Sequence, residues 1–340
     1  MRKLAIVILN WNGSGMMRKY LPSVIENSVV GDVVVADNAS SDDSLEMLTE
    51  NFPDVQRIVL DKNYGFAEGY NRAIAQLKQY EYYLLLNSDV EIKQQGWDKV
   101  LTDYMDQHPL CAACQPKLLD LRKANSFEYA GCAGGYLDRY GYPFCRGRIL
   151  STVEEDQGQY DDIHTVLWAT GAALLCRASD WEASGGLDGT FFAHMEEIDL
   201  CWRLRTMGKD IVCIPQSTAY HLGGATLNQG NPRKTFLNFR NNLLMLYKNL
   251  PERELCSVMH IRCLLDGIAA LQFLVKGDVA NMKAVFKARK EFKRLKKTYA
   301  PIRQHIQAAR KVQHIPERTS FSILWQYYAK GHKTFSTLPL

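Results

Sequence analysis

Three short stretches of this sequence hold side chains that can do polar chemistry at useful spacings. Asn87-Ser88-Asp89 closes an apolar run, so Asp89 offers a carboxylate at the end of a buried strand. Mg2+ and Mn2+ take hard oxygen ligands, and Mg2+ commonly sits on about one or two carboxylates together with substrate phosphates. Glu196, Glu197 and Asp199 place three carboxylates within four residues. A carboxylate within hydrogen-bond reach of a hydroxyl can act as its general base. His221 follows a strand-like run and precedes Gly223 and Gly224, which suits a metal ligand beside a loop. The segment 223–232 is polar and Gly-containing, with Arg233 and Lys234 beyond it, as suits a loop that closes over a diphosphate. Each stretch also has a plainer reading. Asn, Ser and Asp favour turns, acids complement the first turn of a helix, and a polar Gly-containing segment is an ordinary surface loop. Taken singly, none of the three decides a function.

The elements that must position these groups follow from hydrophobic patterning. Short apolar runs at 4–9, 33–36, 57–60 and 82–86 read as buried strands. Helical stretches lie between them: one to about residue 27, one capped by Ser40 or Ser41, and one over 65–80. This alternation predicts a doubly wound, mostly parallel α/β sheet. In such sheets ligands bind at the carboxyl ends of the strands. The residues just past those ends are Asn10-Trp11-Asn12, Asp37-Asn38, Asp61-Lys62-Asn63 and Asn87-Ser88-Asp89, polar clusters that predict a cleft along one rim. Residues 110–175 are rich in Gly and Tyr and read as short strands and loops, with a strand over 165–177 turning at Gly171. A helix over about 197–207 and a strand over 211–214 follow, and from 232 long helical patterns dominate. A boundary near residue 250 divides 1–250 from a helical, basic region over 251–340.

Composition narrows the classes. The chain is 46% hydrophobic and 23% charged, which supplies a globular core. A net charge of +4 is too mild to argue for nucleic acid. The excess sits near the C-terminus, where 283–311 has many Lys and Arg and a single acid, Glu291. Such clusters attract anionic headgroups by about 1 kcal/mol per residue, although a solvated helix face is the plainer reading. The nine cysteines have no framework spacing, and the lone CxxC at Cys111 and Cys114 lacks the second pair of a zinc site. They read as free thiols, mostly buried, in a reducing compartment. The first apolar run ends at Leu9 with no cleavage pattern, so it reads as a strand and not as a targeting segment. No run approaches the roughly 20 apolar residues of a spanning helix. The nearest, 264–275, is interrupted by Asp266, Gly267 and Gln272.

The order of the motifs is more specific than any one of them. VILNWNG at 7–13, VVVADNASSDDS at 33–44, NYGFAEGYN at 63–71, LLLNSD at 84–89, FFAHMEEIDLCWR at 191–203 and YHLGGA at 220–225 occur in turn. Together they resemble the family 2 glycosyltransferases of GT-A fold, within them the bacterial rhamnosyltransferase-like branch, from Leu4 to about Leu246. The resemblance implies that 1–250 is a GT-A nucleotide-sugar-binding and catalytic domain, followed by a C-terminal helical extension. It implies that Asn10, Asn12, Asp37, Asn63, Phe66 and Asn71, with Ser88 and Arg233, meet the nucleotide-sugar. Asp89 and His221 would hold Mg2+ or Mn2+, and Trp168 and Gly171 would lie on the acceptor side. Glu197 matches the catalytic base, with Glu196 and Asp199 beside it. The sequence departs from the family twice. Asn87-Ser88-Asp89 leaves one carboxylate for the metal, which gives His221 more weight. Glu196-Glu197 stands where the family usually has Glu-Asp, so either acid can be the base, and Glu197 is preferred.

The reaction so implied is an inverting, single in-line displacement that moves a sugar from a nucleoside diphosphate to a saccharide or lipid-linked saccharide, for cell-surface polysaccharide. The donor expected first is dTDP-rhamnose, and then a UDP-sugar. The location implied is cytoplasmic, with peripheral contact at the inner face of the membrane through the basic C-terminal helices. Rival readings carry less. A dinucleotide-dependent oxidoreductase explains Gly13, Gly15 and Asp37, but Arg18 stands where the third Gly belongs. A nucleotidyltransferase needs a Gly-rich basic loop that is not there. The non-enzyme rival is an inactive or scaffold member of the family at the membrane.

Overall fold

Five consecutive residues of the first strand, Leu4 through Ile8, are buried. Both faces of that strand must therefore be covered. A computed structural model describes residues 2–223 and 230–340 and shows how. Strands β1 (Arg2–Asn10), β2 (Gly31–Asp37), β3 (Gln56–Val59) and β4 (Tyr80–Leu86) pair in parallel in the order β3-β2-β1-β4. Helices α1 (Ser14–Asn27), α2 (Ser44–Asn51) and α3 (Gly65–Ile74) connect them. Strand alternation sends Ala5 and Val7 into one hydrophobic core and Leu4, Ile6 and Ile8 into another on the opposite face.

The chain continues through β5 (Val90–Glu91), α4 (Trp97–Gln107) and β6 (Cys111–Asp120). A four-stranded antiparallel sheet follows, made of β7 (Gly135–Leu137), β8 (Pro143–Cys145), β9 (Arg148–Ile149) and β10 (Thr152–Val153). Then come β11 (His164–Val166), β12 (Ala173–Arg177), α5 (Ala178–Ser184), α6 (Glu196–Thr206) and β13 (Asp210–His221). β12 inserts antiparallel between β4 and β6, while β13 pairs parallel with β6 and antiparallel with β11 and β5. The result is a mixed α/β fold built on a mostly parallel sheet, as the alternation predicts, and of the GT-A kind that the resemblance implies.

Two boundaries differ from the patterning. α3 stops at Ile74, not near residue 80, because Gln76 and Leu77 turn back onto the Ala73 and Ile74 carbonyls and Tyr80 already pairs with Arg2 in β4. β13 runs past residue 214 to His221 through a bulge between Ile214 and Thr218, where Pro215 and polar residues mask the apolar pattern. That continuation carries His221 to the rim.

The C-terminal helices are α7 (Pro232–Asn249), α8 (Glu252–Val275), α9 (Val279–Ala308) and α10 (Ile323–Tyr328). Tyr299, Ile315, Ile323, Phe335 and Leu338 join the larger core, and Phe335 meets Tyr136 and Tyr160 edge-on. α8 is long and apolar enough to cross a membrane by length and composition. Asp266, which interrupts its apolar run in the sequence, is fully buried and paired with Arg262 at 3.1 Å and with Arg289 of α9. The charge therefore faces the protein and leaves the apolar side outward.

Lys248 ties α7 to α6 and to the loop before it. Its ammonium lies 2.8 Å from Asp188 and 2.7 Å from Asp199, and its side chain is 3% exposed. Removing one partner of such a group leaves a buried charge uncompensated. We expect Lys248→Ala to cost about 3–5 kcal/mol, read as a lower urea midpoint with unchanged slope.

Candidate active site

The rim begins where β1 and β2 end. Asn10 is 1% exposed, and its amide donates to Asp37 at 3.1 Å and to Ser40 Oγ at 3.1 Å. Asp37 also accepts from the Ser40 amide at 2.9 Å, and Asn12 Oδ1 accepts from the Ser41 amide at 2.7 Å. These bonds fold 38–42 into a fixed edge. The Asn10 Oδ1 atom is buried without a hydrogen bond, and a Cβ on Gly13 would come to 2.4 Å of it and 3.8 Å of Ser88 Oγ. Only glycine fits there, and it keeps Asn10 and Ser88 together. Asn63 Oδ1 accepts from the Gly65 amide at 2.8 Å and from Asn38 at 3.2 Å, and thereby shapes the turn into α3.

A second cluster follows from the pairing of β5 with the end of β13. His221 stands opposite Val90 in that register. Asp89, the preceding residue, lies with Oδ1 3.1 Å from His221 Nε2. The other ring nitrogen faces Glu128 Oε1 at 3.3 Å. Glu128 is 3% exposed, and its second oxygen accepts from the Ala130 amide at 2.7 Å. Burial opposes charge on His221, but hydrogen bonds to Asp89 and Glu128 outweigh it and raise its pKa to about 10. Burial likewise works against the Asp89 carboxylate, and the His221 contact overcomes it and lowers its pKa. Glu128 lies across the ring from Asp89, so the three do not converge on one point. Among the described residues no group of three or more His, Cys, Asp or Glu side chains does. One carboxylate and one imidazole fit a cation that completes its shell with substrate oxygens.

The third cluster is the turn before α6. Phe192 has φ 64° and ψ −58°, and His194 and Met195 both have φ 73°. The Ala193 amide reaches the Phe191 carbonyl at 2.7 Å, closing a γ-turn of the strained, positive-φ kind. Three such residues in four persist only where the surroundings impose them. The Asn241 amide supplies much of that constraint, contacting the carbonyls of Phe191, Ala193 and His194 at 2.9, 2.9 and 2.8 Å. Arg240 donates to the Thr190 and Phe191 carbonyls at 2.7 and 3.0 Å. The turn delivers Glu196 and Glu197 to the start of α6. Glu196 is closed off, whereas Glu197 keeps part of its surface open. A Cβ on Gly171 would lie 3.3 Å from Phe66 and 3.8 Å from Glu197, so these three share one wall. One carboxylate oxygen of Glu197 is buried without a hydrogen bond. Burial raises its pKa to about 7. Burial, then the neighbouring Glu197 charge, raises Glu196 well above the usual carboxylate range.

Not every expected residue lies at the rim. Asp199 is wholly buried, held by Arg203 at 2.9 Å, Lys248 at 2.7 Å and Asn249 at 2.8 Å, so it lies away from the rim and anchors α6. Trp168 packs beneath Gly135, where a Cβ would come to 1.9 Å, and its indole donates to the Tyr136 carbonyl at 3.0 Å. It is core and not acceptor-side surface. Asn71 spends both polar atoms on Leu187 at 2.8 and 3.0 Å, bracing the loop before the γ-turn. Arg233 lies over the Phe192 ring at 4.7 Å. The loop expected to cover the diphosphate falls mostly on 224–229, outside the described residues. Glu128, Arg240 and Asn241 were not anticipated. They sit outside the motifs, and only three-dimensional proximity marks them.

Comparison with known proteins fits this geometry. The profile of glycosyl transferase family 2 matches residues 5–130. The N-acetylglucosaminyl-diphospho-decaprenol L-rhamnosyltransferase of Mycobacterium tuberculosis is 24% identical over 232 residues, 64% of this chain and 75% of that protein. Rhamnosyltransferase WbbL of Escherichia coli K12 is 28% identical over 213 residues, 59% of this chain and 78% of that protein. The crystal structure of GalNAc-T7 with UDP, GalNAc and Mn2+ superposes with a TM-score of 0.57 at 13% identity. That match covers 73% of this chain and 48% of the other, and it bears on the fold alone.

Proposed function

We propose that this chain, whose residues 5–130 match the profile of glycosyl transferase family 2, is an inverting, metal-dependent rhamnosyltransferase that uses dTDP-rhamnose and a saccharide or lipid-linked saccharide acceptor. The single observation that carries this reading is a Glu197 carboxylate with one oxygen buried and free of hydrogen bonds, its pKa raised to about 7 by burial, walled by Gly171 and Phe66. It stands on the rim that also carries Asp89 and His221. The names of the two rhamnosyltransferase relatives support the choice of sugar.

In the reaction, the acceptor hydroxyl oxygen bonds to the anomeric carbon as the bond from that carbon to the diphosphate oxygen breaks. The electron pair leaves with the nucleoside diphosphate, and the hydroxyl proton passes to Glu197. Asn10, Asp37 and Ser40 hold the edge against which the nucleotide seats. Asp89 and His221 would hold Mg2+ or Mn2+. A divalent cation there supplies charge neutralisation for the leaving diphosphate. Attack from the Glu197 side opposite the leaving group inverts the anomer.

The test is donor turnover across dTDP-rhamnose, UDP-hexoses and GDP-mannose, with Mn2+ and with EDTA. Turnover of dTDP-rhamnose alone, lost in EDTA, is expected. Binding of none of the donors would move the chain to the inactive or scaffold alternative.

We also place the enzyme on the cytoplasmic side, docked on an anionic bilayer through α8 and α9. Ile261, Leu264, Ile268, Leu271 and Val275 recur along one outward side of α8, with Leu264 63% and Val275 79% exposed. Phe286, 57% exposed, lies beside them across the groove between the helices, with Lys290 and Lys293 at its edge. An apolar row edged by lysines, with the acid of the groove, Asp266, buried and paired with Arg262 and Arg289, suits a headgroup boundary. Leu264→Glu with Leu271→Glu should reduce co-sedimentation with phosphatidylglycerol vesicles by about tenfold or more, since each buried Leu contributes roughly 1.5–3 kcal/mol. Unchanged vesicle binding, or a wild-type dimer that the same pair dissolves, would assign the face to another partner.

A further inference from the structure

A cavity of about 740 Å3 lies between the 189–192 turn, the start of α7 and the first turns of α9. Four cations line it: Arg233, Arg240, Lys283 and Lys287. No carboxylate is among its described lining residues. The rest of the wall is largely apolar, including Phe192, Phe236 and Leu237. Arg240 and Lys287 both stand over the Phe236 ring, at 5.2 and 5.3 Å. Four like charges around one space, with no carboxylate among its described lining residues and Glu291 reaching Arg240 and Lys287 from outside the wall, call for a multivalent anion. The hydrocarbon between them calls for a ligand that is not anion alone.

We infer that this cavity binds the phosphate-bearing head of a lipid-linked acceptor, an isoprenoid-type diphosphate, and that Arg233, which the resemblance gives to the nucleotide-sugar, instead serves this second site apart from Asp89 and His221. The inference deepens the proposed glycosyl transfer and rests on it. Two placements join the cavity to the rest of the molecule. Phe192 lines it, lies against Gly65, and opens the turn that leads into α6, whose first two residues are Glu196 and Glu197. An acceptor whose phosphates rest here therefore has its first sugar on the base's side of the rim. On the other side, α9 gives Ala280, Lys283, Ala284 and Lys287 to the cavity and Phe286, Lys290 and Lys293 to the groove along α8. A lipid diphosphate can reach the cations while its chain stays at the bilayer face.

The test measures binding by the full chain of farnesyl diphosphate, inorganic pyrophosphate, and dTDP with Mn2+, in wild type and in Lys283→Glu with Lys287→Glu. Both lysines are exposed, so the fold tolerates the change, which circular dichroism verifies. Wild type should prefer farnesyl diphosphate to pyrophosphate by about tenfold, and the variant should lose about 10- to 100-fold in farnesyl diphosphate affinity. Its affinity for dTDP should shift by less than about twofold, since neither lysine belongs to the edge formed by Asn10, Asp37 and Ser40 or to the Asp89–His221 pair. Equal loss of dTDP would assign the cavity to the donor and overturn the inference. So would pyrophosphate binding as tightly as farnesyl diphosphate, or unchanged farnesyl diphosphate binding in the variant. Failure of wild type to bind any nucleotide sugar would instead sink the glycosyl-transfer reading, which the donor arm tests separately.

Discussion

Glu197→Gln should lower kcat by about 10²- to 10⁴-fold while donor affinity stays within about twofold. The amide keeps the shape of the side chain and removes its ability to take a proton. The wild-type pH profile follows from the same group. On the proposed mechanism Glu197 acts only when ionised, and burial raises its pKa to about 7. kcat/KM should therefore climb as pH rises through about 7 and level off above, and the Gln variant should lose that limb. The acid also has a stability consequence with a definite sign. Its pKa is higher folded than unfolded, so the folded state holds the proton more tightly. Stability falls as pH rises from the ordinary glutamate range through about 7. At pH 8 the Gln variant should melt higher than wild type although it is nearly inactive. A merely structural Glu197 gives the opposite result, an active or less stable variant. Glu196→Gln is the companion measurement. That acid is closed off, and burial keeps it protonated, so its amide should leave the profile in place.

Much of this was readable in the sequence because strand ends are readable. The continuous apolar runs 4–9, 33–36 and 82–86 required a parallel sheet covered on both faces, and the polar clusters after them had to share a rim. What patterning missed has a common cause. It reads residues along the chain, while the constraints here cross it. Glu128 lies in an irregular, Gly-rich stretch and gains meaning only because the β13 bulge carries His221 to it. Asn241 looks like one polar residue in a long helix, yet its amide meets three carbonyls of the strained turn. Asp199 errs the other way. An acid in the right motif, it faces inward to Lys248 and Asn249. Trp168 and Asn71 likewise match a motif or an expected position and turn out to brace it. In α8 the interrupting Asp266 marked the inner side of the helix, and the sequence alone did not say which side that was.

Asp89→Asn should reduce Mn2+ affinity, measured with dTDP bound, by about 10²- to 10³-fold, the loss expected from several kcal/mol of ligand interaction. Asn87-Ser88-Asp89 supplies a single carboxylate, so no neighbouring acid replaces it. His221→Ala should fall in the same range. The more discriminating change is Glu128→Gln. The His221 ring has Asp89 at Nε2 and Glu128 at Nδ1, 3.1 and 3.3 Å away. A carboxylate behind an imidazole fixes the tautomer and the ring plane, and losing such a partner costs about 10- to 100-fold in metal affinity. Glu128 also accepts the Ala130 amide, so a purely structural role is a real competitor. The two separate cleanly. An orienting Glu128 predicts weaker Mn2+ binding at nearly unchanged melting temperature, with Glu128→Asp recovering part of the affinity. A packing role predicts a lower melting temperature with Mn2+ affinity intact. dTDP binding in EDTA should be the same in all these variants, because Asn10, Asp37 and Ser40 form their edge without Asp89, His221 or Glu128.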